Sequence, residues 1–217
     1  GEDFSLESTL ERQLNIYETI LRRQSRKKGR RDGALVCGAY GRGNAGDDAI
    51  LEAIVTELRQ IDPDLPIWVL SRNPDDTRLT YRVNSIYTFA FPRFLWRMRK
   101  THLYINGGGS LIQDVTSRRS LWYYLFTLRM AKRRGCKVLM YGCGIGPVKH
   151  PKDIALTRKT LNGCVDAITL REDSSLKELQ RFGVTKPEIV LASDPALTLQ
   201  RADEADIDRM MEQSGLA

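Results

Sequence analysis

The sequence has few of the residues that hold metal ions or build disulfide frameworks. Its 217 residues include two histidines, His102 and His150, so a histidine-rich metal site is excluded within this chain and no metal is expected. The four cysteines, Cys37, Cys136, Cys143 and Cys164, show no Cys-x-x-Cys spacing, and three of them stand in or beside apolar runs. We therefore expect buried free thiols and a reducing, cytoplasmic location.

Long apolar segments are missing as well. The longest runs, such as LVCGAY and VLMYGCGIG, are far too short to span a bilayer. No charged-then-apolar leader opens the chain, so nothing in it indicates secretion. Because the first residues are GEDFSLE, without an initiator methionine, we expect the sequence to be a fragment of a longer protein.

The positive charge is dispersed except for one basic run. The formal net charge is +7, and the run RRQSRKKGRR occupies residues 22–31. Such a run is either a solvated linker or a segment attracted to anionic lipid, here at the inner face of the membrane. No aromatic–basic repeat accompanies it, so no nucleic-acid partner is expected.

Spaced apolar residues from Leu6 to Leu21 predict an amphipathic helix over residues 4–23. Its pattern of Phe-Ser, spaced apolar residues and a tyrosine resembles the last helix of retaining glycosyltransferases with two Rossmann domains. On that resemblance, residues 1–33 are the tail of a preceding glycosyltransferase domain followed by a basic linker. The alternative is a plain leading helix.

Short β-rich runs alternate with helical patterns from Ala34 onward. The predicted strands are Ala34–Ala39, Ile67–Ser71, Leu103–Asn106, Lys137–Gly142, Ala167–Leu170 and Glu188–Ala192. The predicted helices are Asp47–Gln60, Pro92–Lys100, Arg118–Arg134, Lys152–Asn162 and Ser174–Phe182. Strands that are apolar throughout and alternate with helices indicate an α/β, Rossmann-like, doubly wound parallel sheet over residues 34–200. Residues 201–217 hold one more predicted helix, Glu204–Gln213, and are interpreted as the start of a linker to a second domain.

The first predicted strand leads into a glycine-rich segment, GAYGRGNAGDDAIL at 38–51. Gly41, Gly43 and Gly46 satisfy the Gly-x-Gly-x-x-Gly fingerprint, which would indicate an NADP-dependent oxidoreductase. However, Asp47 and Asp48 fall in the first helical turn, where two carboxylates oppose a bound pyrophosphate. These carboxylates suit helix capping or hydrogen bonds to sugar hydroxyls better.

Five segments, in order, resemble the polysaccharide pyruvyl transferase family. The first is the segment at 38–51, which fits G-x-x-G-x-G-N-x-G-D-[DE]-A-I-L; the others are YINGGGSLIQD at 104–114, SLWYYLFTLRMAKRRGCKVLMYGCGIGPV at 120–148, ITLREDSSLKELQRFGV at 168–184 and LASDPAL at 191–197. The resemblance implies an enzyme that transfers pyruvate from phosphoenolpyruvate to a cell-envelope saccharide as a ketal. It implies phosphoenolpyruvate as the donor substrate, no cofactor, and a polyprenyl-linked saccharide as the acceptor.

Phosphoenolpyruvate, the expected donor, is a small and highly anionic enol ester. Such a ligand is best bound by arginine forks and backbone N–H groups. Arg171 follows a predicted strand at its carboxyl end, and the resemblance implies that it contacts phosphoenolpyruvate. The alternative for Arg171 is an ion pair with Glu172 or Asp173. Glycines allow close approach of the backbone, and the further substrate-binding candidates in the two glycine-rich segments are Gly43, Asn44, Gly107, Gly108 and Gly109.

Ketal formation also requires a general acid or base. Asp47 and Asp48 are the expected catalytic carboxylates on the acceptor side, and helix capping alone is the alternative for them. Gln113 and Asp114, which follow the glycine triplet, are candidates for sugar contacts.

Members of the family are about twice as long as this chain, with two Rossmann-like domains in a glycosyltransferase-B-like architecture and the active site between them. The resemblance therefore implies that the chain is the amino-terminal half and is inactive alone, because a histidine and an arginine of the second domain complete the donor site. Two alternatives stay open: a glycosyltransferase half-domain that uses a nucleotide sugar, and a non-catalytic saccharide-binding module.

Overall fold

The computed structural model describes residues 31–199, 209, 211 and 212. The helix predicted at 4–23, the basic run up to residue 30 and most of the helix predicted at 204–213 lie outside the described residues. Within the described residues, no helix is long and apolar enough to cross a bilayer.

A parallel sheet forms the centre of the described chain. Its strands are β1 (Ala34–Cys37), β2 (Ile67–Ser71), β3 (Asn84–Tyr87), β4 (Leu103–Gly107), β5 (Lys137–Cys143), β6 (Ala167–Leu170) and β7 (Glu188–Leu191). They are arranged in the order β3-β2-β1-β4-β5-β6-β7, and every described pairing is parallel. The direction of winding reverses between β1 and β4, so the loops that follow these two strands flank the crevice where open α/β sheets bind ligands.

Helices connect the strands and cover both faces of the sheet. They are α1 (Ala45–Ile61), α2 (Pro74–Tyr81), α3 (Phe91–Met98), α4 (Arg118–Arg133), α5 (Pro151–Cys164) and α6 (Asp173–Phe182), and a short 3-10 helix follows at Pro195–Thr198. Apolar residues spaced at three and four positions give α1 one buried face, which includes Ile50, Leu51, Ile54 and Leu58. Helix α4 begins after the capping residue Ser117 and buries Leu121, Tyr124, Leu125 and Leu128.

Two apolar layers hold the sheet. All four residues of β1 are fully buried because helices cover both sides of this strand. Val36 packs with the buried face of α1, whereas Leu35 packs with the larger layer formed by α3, α4, α5 and α6.

The predicted Rossmann-like α/β fold is confirmed, and the six predicted strands are present in the sheet. Strand β3 and helix α2 were not predicted from the sequence. Both ends of β3 are exposed, and Thr77 is the one buried side chain among the eight residues of α2. Neither element therefore has the regular spacing of apolar residues from which a strand or a helix is predicted. Strand β1 also ends at Cys37 rather than Ala39, because the chain turns at the glycine-rich segment.

Candidate functional site

A cavity of about 510 Å³ lies at the carboxyl edge of the sheet, beside the point where the winding reverses. The loops after β1 and β4, the first turns of α1 and α4, and the segments after β6 and β7 all contribute to it. Its lining residues are Ala39, Arg42, Asn44, Gly46, Asp47, Ile50, Gly109, Ser110, Leu111, Gln113, Thr116, Ser117, Ser120, Tyr124, Arg171, Asp194 and Ala196. Segments that are far apart in the sequence therefore converge on one site at the edge of the sheet, where ligands bind in open α/β folds.

Tyr40 joins the two glycine-rich loops beneath this cavity. Its buried hydroxyl donates a hydrogen bond to the carbonyl oxygen of Gly107 over 2.9 Å. A Cβ atom at Gly107 would lie 2.7 Å from that hydroxyl oxygen and 2.4 Å from Ile54, so the close approach requires glycine. This contact fixes the spacing of the loops after β1 and β4.

Asp47 is the carboxylate that α1 presents to the cavity. The N-cap of α1 is Asn44, whose Oδ1 accepts a hydrogen bond from the Gly46 N–H over 3.1 Å and whose Nδ2 donates to Asp47 Oδ2 over 2.8 Å. Partial burial raises the pKa of Asp47, and the neighbouring Asp48 acts in the same direction. The hydrogen bond from Asn44 and the charges of Arg42 and Arg171 oppose this rise without cancelling it.

Asp48 does not line the cavity although it is the next residue of α1. Its backbone carbonyl lies 3.5 Å from the hydroxyl of Tyr81, and burial together with the Asp48 charge raises the pKa of that hydroxyl to about 12. The two neighbouring carboxylates therefore have different surroundings, and of the two Asp47 lines the cavity.

Arg171 also lines the cavity and is paired with Asp194. Nη1 of Arg171 donates to Oδ2 of Asp194 over 2.8 Å, and both side chains are about a quarter exposed, at 27% and 29%. Asp194 Oδ1 accepts a second hydrogen bond from the Ala196 N–H over 3.0 Å. Within the described residues, the alternative pairing of Arg171 with Glu172 or Asp173 is not formed, and the guanidinium is held by a carboxylate that is itself anchored.

The glycine triplet contributes less to the cavity than the sequence indicated. Gly107 is buried under Tyr40, and the N–H of Gly108 donates to the Tyr141 carbonyl over 2.9 Å, so that N–H is not free for a ligand. Of the triplet, Gly109 lines the cavity, and a Cβ atom there would lie 3.2 Å from Asp47 Oδ1. The triplet thus brings the β4 loop against Asp47.

The remaining candidates separate into two groups. Asn44 and Gln113 line the cavity, and Gln113 Oε1 accepts hydrogen bonds from the N–H and the hydroxyl of Thr116 at 3.4 and 3.3 Å. Gly43 and Asp114 do not line it. Asp114 Oδ2 instead accepts the N–H groups of Lys149 and His150 at 2.8 and 3.1 Å, which fastens the loop after β5.

Several lining residues were not among the candidates from the sequence. Arg42 and Asp194 fall inside the quoted family-like segments, but their residue types alone did not mark them as lining residues. Ser117 could have been noticed, since a serine before a helical pattern predicts an N-cap. Ser120 and Tyr124 could be assigned to the cavity only from the orientation of α4 in the structure.

Comparisons with known proteins agree with this geometry at the level of family and fold. A model of the family described as polysaccharide pyruvyl transferase matches residues 44–212. A comparison with curated proteins gave no match.

Three similar solved structures are of Alr3699/HepE from Anabaena, in complex with UDP, with UDP-glucose, and with UDP and glucose. Their TM-scores are 0.53, 0.52 and 0.53, each at 8% sequence identity. The matches cover 84%, 84% and 85% of this chain and 50% of each HepE chain, so this chain spans about half the length of those structures. At this identity the likeness shows a shared Rossmann-like fold.

Proposed function

The chain belongs to the polysaccharide pyruvyl transferase family, and from that premise we propose that it carries one wall of an active site that transfers pyruvate from phosphoenolpyruvate to a saccharide. The donor is a substrate, and no separate cofactor takes part. The acceptor is a cell-envelope saccharide, and the reaction takes place in the cytoplasm. A second domain supplies the facing wall, as the family resemblance implies.

Arg171 binds the donor. A guanidinium presents paired N–H groups that match a carboxylate or a phosphate, and phosphoenolpyruvate carries both. Because Asp194 engages Nη1 of Arg171 over 2.8 Å, the plane of the guanidinium is oriented before the donor arrives. Asp194 is therefore the positioning residue of the donor site.

Asp47 accepts a proton from an acceptor hydroxyl. It lines the same cavity as Arg171, and its raised pKa makes it a stronger base than an ordinary aspartate. Asn44 holds one carboxylate oxygen over 2.8 Å, which leaves the other oxygen beside Gly109 to face an incoming hydroxyl.

The reaction balances without any further reactant. Two acceptor hydroxyl oxygens form bonds to the central carbon of phosphoenolpyruvate, and the bond from that carbon to the phosphate oxygen breaks. One of the two hydroxyl protons ends on the former methylene carbon, which becomes a methyl group, and the other leaves with the phosphate. Asp47 takes up a proton and passes it on, so it is unchanged after the turnover.

One observation supports the proposal most directly: Arg171 and Asp47 line the same cavity. That cavity lies where the winding of the sheet reverses, in a chain that belongs to this family. A second candidate is transfer of a sugar from a nucleotide sugar, because the similar HepE structures hold UDP and UDP-glucose. The released product distinguishes the two candidates, since phosphoenolpyruvate releases inorganic phosphate and a nucleotide sugar releases a nucleoside diphosphate.

The test is an assay of phosphate release from phosphoenolpyruvate by the complete gene product, with and without saccharide acceptors. We expect release that depends on both substrates, together with a pyruvate ketal on the acceptor. UDP-glucose in place of phosphoenolpyruvate should give no product. Turnover of UDP-glucose with no release of phosphate from phosphoenolpyruvate would reject the proposal in favour of the second candidate.

A further inference from the structure

The positive charge outside the basic run at 22–31 is unevenly divided along the chain. Residues 77–152 contain fifteen lysine and arginine residues but a single acidic residue, Asp114, which gives this range a formal net charge of +14. The whole chain is at +7, so the residues outside this range together carry −7. A division of this kind favours contact between one part of the surface and a polyanion.

The fold gathers part of this charge on the outward faces of α3 and α4. Both helices pack in the larger apolar layer on one side of the sheet, and Phe91 of α3 meets Phe126 of α4 with ring centres 5.8 Å apart. Neither helix contains an acidic residue. Their outward surface, with the turn that follows α3, is called here the α3–α4 face and is defined by Arg93, Trp96, Lys100, Trp122, Arg129 and Arg133.

Helical spacing places these side chains on the outside. Trp122, Arg129 and Arg133 are separated by seven and four positions, so they lie along one side of α4. The buried residues Tyr124 and Ala131 lie on the other side of that helix. Trp96 likewise lies opposite the buried residues of α3, and it is 54% exposed. The two helices therefore present cations and indole rings on one continuous surface.

The cations of the α3–α4 face are not neutralised by the part of the chain that the structure describes. Arg93 and Arg133 are exposed, and neither forms an ion pair with a described residue. Asp153 and Asp166 contact α4, but each already pairs with another of its basic residues, over 2.7 and 2.6 Å. The exposed guanidinium groups therefore attract an anionic surface placed beside them.

Trp96 and Trp122 supply apolar surface between these cations. Lys100 Nζ lies 4.1 Å from the centre of the Trp96 ring, and the guanidinium carbon of Arg118 lies 5.0 Å from that of the Trp122 ring. An exposed indole beside a cation suits the headgroup region of a bilayer, where ring and charge each find a favourable environment. One face of each ring is occupied by its cation, which disfavours the stacking of nucleic-acid bases.

We infer that the α3–α4 face is a docking surface for an anionic lipid bilayer. Its cations attract the anionic headgroups, and its two exposed indole rings enter the headgroup region. Because this surface belongs to the folded domain, docking also fixes how the domain is oriented on the bilayer. The inference does not depend on the proposed reaction, since docking needs neither donor nor acceptor.

The first experiment is co-sedimentation of the complete protein with lipid vesicles. One set contains equal parts of phosphatidylglycerol and phosphatidylcholine, and the other contains phosphatidylcholine alone. We expect binding to the anionic vesicles that weakens as salt is raised, and much weaker binding to the neutral vesicles. Arg93→Gln combined with Arg133→Gln should weaken binding to the anionic vesicles about 25-fold, because each charge near such a surface contributes about 5-fold.

Two double variants remove the same amount of charge elsewhere. Lys177→Gln with Lys186→Gln changes exposed lysines on α6 and after it, and should bind as the native protein does. Lys27→Gln with Lys28→Gln changes the basic run and should weaken binding less than the α3–α4 variant. Because Arg93 and Arg133 are exposed and have no ion pair with a described residue, their variant should keep the native melting temperature.

The second experiment tests the indole rings. The tryptophan emission of the native protein should shift to shorter wavelength when anionic vesicles are added, because the exposed rings leave water. Trp96→Ala should reduce this shift and weaken vesicle binding, since apolar area that enters the bilayer is lost. Its melting temperature should stay close to the native value, because the ring is largely exposed. An unchanged shift in Trp96→Ala would show that α3 does not enter the headgroup region.

Four outcomes would overturn the inference. Equal losses in the 93/133 and 177/186 variants would show that net charge, and not this face, governs binding. A loss confined to the Lys27 and Lys28 variant would assign the contact to the basic run. Self-association that the 93/133 variant abolishes, with no vesicle binding, would identify the face as an interface with a second copy. Binding of single-stranded RNA with no vesicle binding would assign it to nucleic acid.

Discussion

Arg171 and Asp194 follow neighbouring strands of the sheet and meet through a contact of 2.8 Å between Nη1 and Oδ2. The two residues are 23 positions apart in the chain, with α6 and β7 between them. Because β6 and β7 are parallel neighbours, their carboxyl ends bring both residues to the same edge. The ion pair therefore links the two segments that close one side of the cavity.

Replacing Arg171 by lysine should impair use of the donor. Lysine keeps the charge but loses the planar fork that pairs with a carboxylate or phosphate, so the KM for phosphoenolpyruvate should rise about 10-fold or more. The control is Arg181→Lys, which changes an arginine that is also ion-paired, with Glu178, but lies outside the cavity. Steady-state kinetics of the complete protein provide the measurement, and equal KM values for both variants would remove Arg171 from the donor site.

Replacing Asp47 by asparagine should abolish most of the turnover. Asparagine cannot accept the proton of an acceptor hydroxyl, so kcat should fall about 100-fold or more. Asp48→Asn is the matched control, since Asp48 is the next residue of the same helix and does not line the cavity. Similar losses in the two variants would show that charge at the start of α1, rather than Asp47, supports the reaction.

The raised pKa of Asp47 also predicts the effect of pH on stability. The folded protein holds this proton more tightly than the unfolded chain, whose carboxyl has a pKa near 3.8. The stabilising effect of the protonated carboxyl is complete below that value and is lost as the pH rises through the raised pKa. At neutral pH the ionised carboxylate therefore stabilises the folded protein less than the protonated form would, and Asp47→Asn, which is neutral and of the same shape, should melt at an equal or higher temperature than the native protein while losing activity. A lower melting temperature at neutral pH would contradict this.

Two glycines with the same backbone conformation should respond differently to substitution. Gly43 and Gly108 have φ values of +70° and +71°, but a Cβ atom at Gly43 meets nothing within 4 Å whereas one at Gly108 lies 2.3 Å from Ile50. Gly43→Ala should cost about 1 kcal/mol, from the left-handed backbone alone. Gly108→Ala should cost about 2–4 kcal/mol, because the clash with the stiff side chain of Ile50 is added. Denaturant unfolding measures both, and equal costs would show that Ile50 moves aside.

Thiol labelling should distinguish Cys164 from the other three cysteines. Burial raises the pKa of Cys37 and Cys136 to about 11 and that of Cys143 to about 12, so these buried thiols stay protonated at pH 8 and are unreactive. Cys164 is partly exposed and is the expected site of slow labelling in this part of the native protein. Cys164→Ser should remove that labelling and Cys136→Ser should leave it unchanged, as mass spectrometry of the labelled peptides would report.

Much of the fold was predictable because the central strands are apolar on both faces. Strands β2 and β6 have the predicted bounds, since their apolar runs stop where the backbone leaves the sheet. Strand β3 was not predictable by the same signal, because two of its four residues are exposed. Such a strand is defined by its pairing with β2, which only the tertiary structure supplies.

Two residues that line the cavity could be named from the sequence, but the ion pair that holds one of them could not. The sequence marked Arg171 and Asp47, since an arginine after a strand and an aspartate in a first helical turn have clear local meanings. It did not separate Asp47 from Asp48, because two neighbouring residues of a helix are distinguished only by what each of them faces. It also missed Asp194 as the partner of Arg171, because that contact depends on how β7 aligns beside β6.

The pairing of β1 with β4 has a consequence for how the polypeptide acquires its structure. Ala34 lies beside Leu103 at the centre of the sheet, so the chain between them, which carries two other strands, must form a closed loop before this pair can exist. Closing so long a segment costs entropy before any central contact repays it, and parallel sheets of this kind fold slowly. During synthesis on the ribosome, the hydrogen bond from Tyr40 to Gly107 therefore cannot form until the segment around Gly107 has emerged, so the spacing of the two glycine-rich loops is fixed only after that point.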